Sequence, residues 1–531
     1  MKPTLPFRRA VLPTLAAALF LAACAAAFDE PVAHAAGGPS TRDLWPPAWQ
    51  DGPQGSAIDF TPPAFDAPSA THCQRLPGTR EVPGGGREQR ASGRLSEGES
   101  LREPVMSKRR DARDEAADAV ESRAAAKSAP AGAAAEYSLS LAPPPWPSQP
   151  APAPRPARET VTAGMVDDNA DFGEYLNYRQ RQAGLAVRER DIGERYLLEV
   201  TDTNGRPVHD AEVAVQRPGV AQPVMWARTD TAGRVWLHPR AFLAPAVAEE
   251  RTLGVAVRAH GVQGRALLQR GQAASVQVRL GAQPAVSTRL DLVFMVDATG
   301  SMGDEIAKLK QSMRAMADQI AQLPGQPDIC YGLVAYRDRG DAFITRTHDF
   351  TNDLGAFQQV LAKVQANGGG DTPEAMNEAL HEVVHGLSWR QQAARMVVMV
   401  ADAPPHLDYG GCMSAPEGHG ISPPWAPRAA GSGQPVACPQ YDRDMQAALS
   451  KGIKLFAVGA SGLDPVGEYV FRQMAQYTAG RFVFLTYRDA ANPGSGPGTQ
   501  TVHDVKQYSV QTLDKLVVRL VGEELSRLKK G

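Results

Sequence analysis

The 531-residue chain has almost no net charge, −2 with its histidines neutral. It therefore lacks the basic surplus that draws a protein to nucleic acid, and no nucleic-acid partner is expected. Long apolar runs are missing as well. Beyond the first two dozen residues no stretch is apolar enough to span a bilayer. Cysteine is scarce, five residues in all. Cysteine and histidine are both absent from three short segments rich in oxygen side chains, and that absence disfavours soft-metal chemistry there.

Those three segments are the most informative part of the chain. An apolar run, Leu290 to Val296, ends in Asp297-Ala298-Thr299-Gly300-Ser301, which places a carboxylate and two hydroxyls at alternate positions on a tight turn. Thr372 lies in Gly368-Gly369-Gly370-Asp371-Thr372-Pro373, and Asp402 follows the apolar run Met396 to Ala401. Mg²⁺ takes near-octahedral oxygen ligation and keeps water where the protein leaves the shell open. Two aspartates roughly neutralise such an ion. Thr299, Ser301 and Thr372 add neutral oxygens that leave it attractive to a further anion, so Mg²⁺ or Mn²⁺ is the expected cofactor. Asp297 and Thr299 acting only as helix caps is the simpler alternative for the first segment alone.

Asp297-x-Thr299-x-Ser301, Thr372 and Asp402 together resemble the metal-ion-dependent adhesion site (MIDAS) of the von Willebrand factor type A domain. The resemblance covers residues 286–531. It implies a doubly wound α/β domain with a mainly parallel sheet, and binding of a protein partner whose Asp or Glu completes the ion's shell. Thr299 stands where the family's commonest motif has Ser, and its hydroxyl can ligate equally well.

Periodicity points to the same architecture. Ile306, Leu309, Met313, Met316 and Ile320 recur at helical spacing after the metal turn, with Asp304 and Glu305 in the first turn. Strands are expected at Ile329 to Tyr336, Arg395 to Ala401, Lys454 to Val458 and Arg481 to Leu485. Helices are expected near Leu354 to Val364, Pro373 to Leu387, Tyr441 to Lys451 and Val466 to Thr478. A last helix carries Leu513, Leu516, Val517, Leu520, Val521, Leu525 and Leu528 on one face. Such alternation gives a parallel sheet whose ligands sit beyond the strands' carboxyl ends, where Asp297 and Asp402 fall.

The N-terminus bears on location. Lys2, Arg8 and Arg9 precede the apolar stretch Val11 to Ala23, which ends in Leu21-Ala22-Ala23-Cys24. Residues 1–24 resemble a bacterial lipoprotein signal with Cys24 as the lipidation site, implying a cell-envelope, outer-membrane lipoprotein held to the membrane by a lipid anchor. A secretory signal cut after Ala35, giving a secreted or soluble periplasmic protein, is the alternative. Residues 25–163 are rich in Pro, Ala, Gly and charge and are expected to be a disordered tether. Residues 164–190 form a helical lead-in of unassigned packing.

Residues 191–285 read as a small antiparallel β-sandwich, with strands at Tyr196 to Thr201, Ala211 to Gln216, Val235 to His238, Leu253 to Ala259 and Ala274 to Leu280. Thr201-Asp202-Thr203-Asn204-Gly205-Arg206-Pro207-Val208 and Thr229-Asp230-Thr231-Ala232-Gly233 resemble carboxypeptidase-regulatory-like or transthyretin-like modules, which usually act as spacers or binding platforms. Cys412 and Cys438, in an insertion over 404–440, are a possible disulfide. Cys330 is expected as a buried thiol, leaving Cys73 odd in the tether.

His381-Glu382-Val383-Val384-His385 matches the HExxH pattern of zinc peptidases. The helix carrying it puts Met376, Ala379, Leu380, Val383 and Leu387 on its apolar side, so Glu374, Glu378, His381 and His385 are expected on the wet side. Ser388 and Gln391 also stand where the longer zincin pattern needs Gly and His. Arg339-Gly340-Asp341 and the Gly-rich segment Gly494 to Gly498 read as chance matches in surface loops. His406 lies near enough to Asp402 to approach the ion, or to hydrogen-bond within its own loop. The expectation is thus a non-enzymatic, envelope-located binding protein. A zinc metallopeptidase and a scaffold whose metal site stays vacant are the alternatives.

Overall fold

The computed structural model describes residues 72–86, 160–220, 222–242, 250–272, 275–281, 288–370, 372–407 and 438–528. Cys24, most of the expected tether, and residues 408–437 with Cys412 lie outside them. Strands β1 (Thr79–Pro83) and β2 (Thr162–Val166) are followed by helix α1 (Phe172–Arg181). Next come β3 (Tyr196–Thr201), β4 (Glu212–Gln216), β5 (Pro223–Arg228), β6 (Arg234–Leu237), the short α2 (Pro239–Phe242), β7 (Thr252–Ala259), β8 (Val262–Gln269) and β9 (Val276–Arg279). The rest is β10 (Arg289–Asp297), α3 (Gly303–Ala321), β11 (Asp328–Tyr336), β12 (Phe343–Thr351), α4 (Leu354–Ala362), α5 (Met376–His381), β13 (Ala393–Ala401) and α6 (Tyr441–Ser450). It closes with β14 (Ile453–Gly459), α7 (Pro465–Tyr477), β15 (Arg481–Asp489), β16 (Asn492–Pro497), β17 (Gln511–Thr512) and α8 (Leu513–Leu528).

One large sheet runs β1-β12-β11-β10-β13-β14-β15-β2-β17, with β16 attached to β15. Its centre, β11-β10-β13-β14-β15, is parallel, and β12 joins β11 antiparallel. These strands are covered on both faces, which is why β10 and β13 read as largely apolar runs, broken only near their starts by the buried Asp291 and Arg395. Along β10, Val293 and Met295 join a core that includes α5, α6 and α7 residues, whereas Leu292, Phe294 and Val296 join one built with α3, α4 and α8. The fold is doubly wound, as expected.

The edges depart from expectation. Residues 72–86 do not belong to a disordered tether: β1 pairs antiparallel with β12, and Cys73 forms a disulfide with Cys330, so Cys330 is not a free thiol. The outer edge of β12 presents backbone donors and acceptors that need covering, and Thr79–Pro83 supplies the ladder. Likewise β2 pairs with β15, so the sheet draws on residues before 164 and does not begin at 286. The lead-in helix α1 packs on α7. Asp168 makes a two-pronged contact with Arg472 at 2.7 and 3.0 Å, and that guanidinium lies 3.6 Å from the Tyr178 ring centroid. Gly494 to Gly498 is not an isolated loop; most of it belongs to the β15–β16 hairpin. Cys438 is disulfide-bonded, and its expected partner, Cys412, is outside the described residues.

The smaller module is two sheets, β6-β3-β9 and β5-β4-β7-β8. It is not wholly antiparallel, because β3 and β9 run parallel. It docks at the amino-terminal ends of β13 and β14, opposite the end bearing Asp297 and Asp402. Asp210 meets Arg395 at 2.7 and 3.1 Å with both side chains buried, and Lys454 lies 2.9 Å from Asp230 and 2.8 Å from Glu524. Removing one partner of a buried pair strands the other charge, at a cost of roughly 3–5 kcal/mol. Asp210→Ala is therefore expected to lower the urea midpoint strongly, and an unchanged midpoint would show that this junction carries no stability.

Candidate metal centre

Asp297 ends β10 and Asp402 follows β13, its neighbour in the sheet. The helix after β10 packs on one face of the sheet and the helix after β13 on the other. The connecting loops therefore part at this point and open the crevice where such sheets hold ligands. The Asp297 turn is tightly organised. The backbone N–H of Thr299 and its hydroxyl both donate to Asp297 Oδ1, at 2.9 and 2.7 Å, and Thr299 Oγ1 lies 3.1 Å from Ser301 Oγ. Arg337, buried beneath, donates to the carbonyls of Ala298 and Gln365, each at 3.1 Å, and so ties this turn to the loop before Gly368.

That loop lies directly over the turn. Gly300 N donates to Gly368 O at 2.9 Å, and Gly369 N donates to the Asp341 carboxylate. Gly369 has φ +71°, and a Cβ there would sit 3.2 Å from Thr299 Cβ and 3.3 Å from Glu374 Oε1. Only glycine suits that backbone and that approach.

The electrostatics are those of three crowded, buried carboxyls. Asp297, Asp402 and Glu374 are all buried, and one oxygen of each, Asp297 Oδ2, Asp402 Oδ1 and Glu374 Oε2, has no hydrogen-bond partner. Each unsatisfied buried acceptor costs on the order of 1–3 kcal/mol, more if charged. Burial, and then the charge of Asp402, pushes the Asp297 carboxyl up to about 7. Burial, then the charges of Asp297, Asp338, Asp341 and Asp402, pushes Glu374 up to about 9. Asp402 is also raised by burial, with the neighbouring Ser301 hydroxyl opposing. A divalent cation would relieve both the unmet acceptors and the repulsion, and an all-oxygen donor set fits Mg²⁺ or Mn²⁺.

Of the five expected ligands, Asp297, Thr299 and Ser301 are joined by hydrogen-bond distances, and Asp402 is near enough to perturb Asp297. Thr372 is exposed on the loop between Gly369 and Glu374 and makes no hydrogen bond to the other four. Glu374 was missed. The helical reading placed it and Glu378 on the wet side, but both are buried. The usable signal was its position two residues after Thr372. A cavity of about 630 Å³ opens beside Ser301 and is bounded also by Glu305, Ser461, Thr162, Tyr487 and Pro497.

The remaining candidates are committed elsewhere. His406 Nε2 lies 2.9 Å from Asp338 Oδ1. In Arg339-Gly340-Asp341, the Asp341 carboxylate accepts from Asp338 N and Gly369 N, so it braces the loop. In the HExxH segment, Glu382 is buried and ion-paired to Arg80 of β1, within reach of Thr347 of β12. Both histidines instead face Asp444 of α6. The glutamate that would have to activate a metal-bound water is turned away from them.

Residues 291–406 match the family model of the von Willebrand factor A domain. The chain is 30% identical over 119 residues to the alpha-protein kinase vwkA of Dictyostelium discoideum, covering 22% of this chain and 19% of that protein. It is 38% identical over 89 residues to von Willebrand factor A domain-containing protein 7 of Rattus norvegicus, covering 17% of this chain and 9% of that one. The match thus spans less than a fifth of either relative. Among solved structures, a conserved hypothetical protein BatB from Bacteroides thetaiotaomicron aligns over 46% of this chain and 100% of its own, with 12% identity and a TM-score of 0.27.

Proposed function

We propose that this chain, which carries a von Willebrand factor A domain, captures a protein partner through a divalent cation held by Asp297, Thr299, Ser301, Thr372 and Asp402. Mg²⁺ or Mn²⁺ supplies a positive charge at the mouth of the crevice, and an Asp or Glu of the partner completes its shell. The observation that carries this reading is the group of unpartnered buried carboxylate oxygens on Asp297, Asp402 and Glu374. A bound cation would stabilise such a group in its ionised form at neutral pH, beyond what the Thr299, Tyr336 and Ser301 hydroxyls supply. The cavity beside Ser301 offers room for the segment flanking the partner's acid. The reading is of binding and not of catalysis, since Glu382 is engaged by Arg80 on the side away from the histidines.

The proposed location is the cell envelope, with a lipid anchor on Cys24. The Cys73–Cys330 disulfide supports an oxidising compartment, where such bonds persist. No helix among the described residues is long and apolar enough to cross a membrane. The experiment is a crosslinked pull-down from envelope extract, run with Mg²⁺ and with chelator, using the parent and Asp402→Ala. A partner recovered only by the parent and only with Mg²⁺ is expected. Equal recovery in chelator would overturn the metal-bridged reading.

A further inference from the structure

The seam between α5 and α6 carries a second cluster, separate from the oxygen-lined crevice. His381 Nδ1 lies 3.1 Å from Asp444 Oδ1 and 3.3 Å from Oδ2, and His385 Nε2 lies 3.1 Å from the same Oδ1. The two imidazole rings stand 4.5 Å apart, centroid to centroid. One donor atom from each residue falls within 4.8 Å of the other two. At Zn–N and Zn–O bonds of roughly 2.0–2.2 Å, the edge of a tetrahedral shell is roughly 3.3–3.6 Å. The donor atoms therefore need only small rotations to share one ion.

The surroundings hold that arrangement in place. Between the histidines the helix passes into a π-turn, Glu382–Gly386, an uncommon element that is frequent at functional sites. On α6, Asp444 is buried within the first turn. The seam is pinned on both sides: Tyr441 N donates to Asn377 Oδ1 at 2.8 Å, and Lys451 Nζ donates to Val384 O at 2.7 Å. Side-chain exposure of 26% at His381 and 39% at His385 leaves a path for an ion and a position for water.

We infer that His381, His385 and Asp444 form a binding site for a transition-metal ion of the Zn²⁺ class, clamping α5 to α6 with a fourth position open to solvent. Two imidazoles and one carboxylate select Zn²⁺, Co²⁺ or Ni²⁺ over Mg²⁺, which prefers an all-oxygen shell. The site is structural and not hydrolytic, because Glu382 serves Arg80. The clamp also bears on the crevice, since α5 follows the loop carrying Thr372 and Glu374, and α6 follows the insertion that begins after Asp402.

The test is a Zn²⁺ titration of the purified, chelator-stripped and desalted full chain against a chromophoric competitor in excess Mg²⁺, repeated with Co²⁺ to read the visible bands of a tetrahedral site. The parent is expected to take up one Zn²⁺ that Mg²⁺ does not displace. His385→Ala, at an exposed position, and Asp444→Asn are expected to weaken uptake by at least about ten-fold. Asp297→Asn should leave it unchanged, which separates this site from the one in the crevice. Circular dichroism of His385→Ala reports that the variant is folded. Absence of uptake by the parent, or equal uptake by folded His385→Ala, would mean that Asp444 is only the hydrogen-bond acceptor for two histidines.

Discussion

In chelator at pH 8, Asp297→Asn is expected to melt several degrees above the parent, and on adding Mg²⁺ it should gain nothing while the parent rises. The reason is the buried carboxyl. In the metal-free fold Asp297 is pushed up to about 7 from the ordinary 3.8, by burial first and by Asp402 second. Between those values the folded state holds a proton that the unfolded state has released, so stability falls as pH rises. The loss starts above about pH 4 and is complete above about pH 7. A shift of that size corresponds to roughly 2–4 kcal/mol. Asparagine removes the titration and keeps an oxygen to accept from the Thr299 N–H and hydroxyl. Its amide can also donate toward Asp402. The parent regains the loss when a cation binds the folded state alone, by RT ln(1 + [Mg²⁺]/Kd). Thermal melts of both proteins from pH 4 to 8, with and without Mg²⁺, read the effect. A parent whose melting temperature is flat across that range in chelator would contradict it.

Cys73→Ser is expected to have the other large effect. The Cys73–Cys330 bond spans 257 positions in sequence, and cross-linking so long a loop restricts the unfolded chain by an amount worth about 5 kcal/mol at the upper end of the chain-entropy account. The bond also keeps β1 on the sheet edge, and β1 carries Arg80. If β1 frays, Glu382 is left buried without its cation, adding a desolvation penalty. Denaturant melts should therefore shift by roughly 3–5 kcal/mol, and trypsin should cut at the exposed Arg75 and then at Arg80. A variant with parental stability and parental resistance to trypsin would show that the segment is held by β1–β12 pairing alone.

Much of the central sheet was legible because its inner strands are buried on both faces. Leu290 to Val296 is interrupted only by Asp291 and Met396 to Ala401 has no polar residue, and Asp297 and Asp402 stand directly after them. The edges were not legible. Phe343–Thr351 has five consecutive polar residues, Thr345 to Asp349, and no apolar alternation, and Thr79–Pro83 lies in a Pro- and Gly-rich context that gives no strand signal of its own. β12 becomes a strand by pairing with β11 on one side and β1 on the other, and β1 by pairing with β12. The Cys73–Cys330 bond depends on that pairing, so no local pattern could reveal it. Helical periodicity failed at Glu374 and Glu378 because it assumes that charged side chains face water. Glu374 is buried within reach of the charges of Asp297 and Asp402, the carboxyls proposed to hold the cation. The same periodicity correctly set Met376, Ala379, Leu380 and Val383 in the core and left the histidines outside it.

The central claim is that the crevice at the ends of β10 and β13 holds a divalent cation. Mn²⁺ titration of the full chain followed by electron paramagnetic resonance tests it most directly, with Asp297→Asn, Asp402→Ala and His385→Ala as variants. One bound Mn²⁺ in the parent and in His385→Ala, lost in both aspartate variants, is the predicted result. Mn²⁺ bound equally by all four proteins, or by none, would contradict the account.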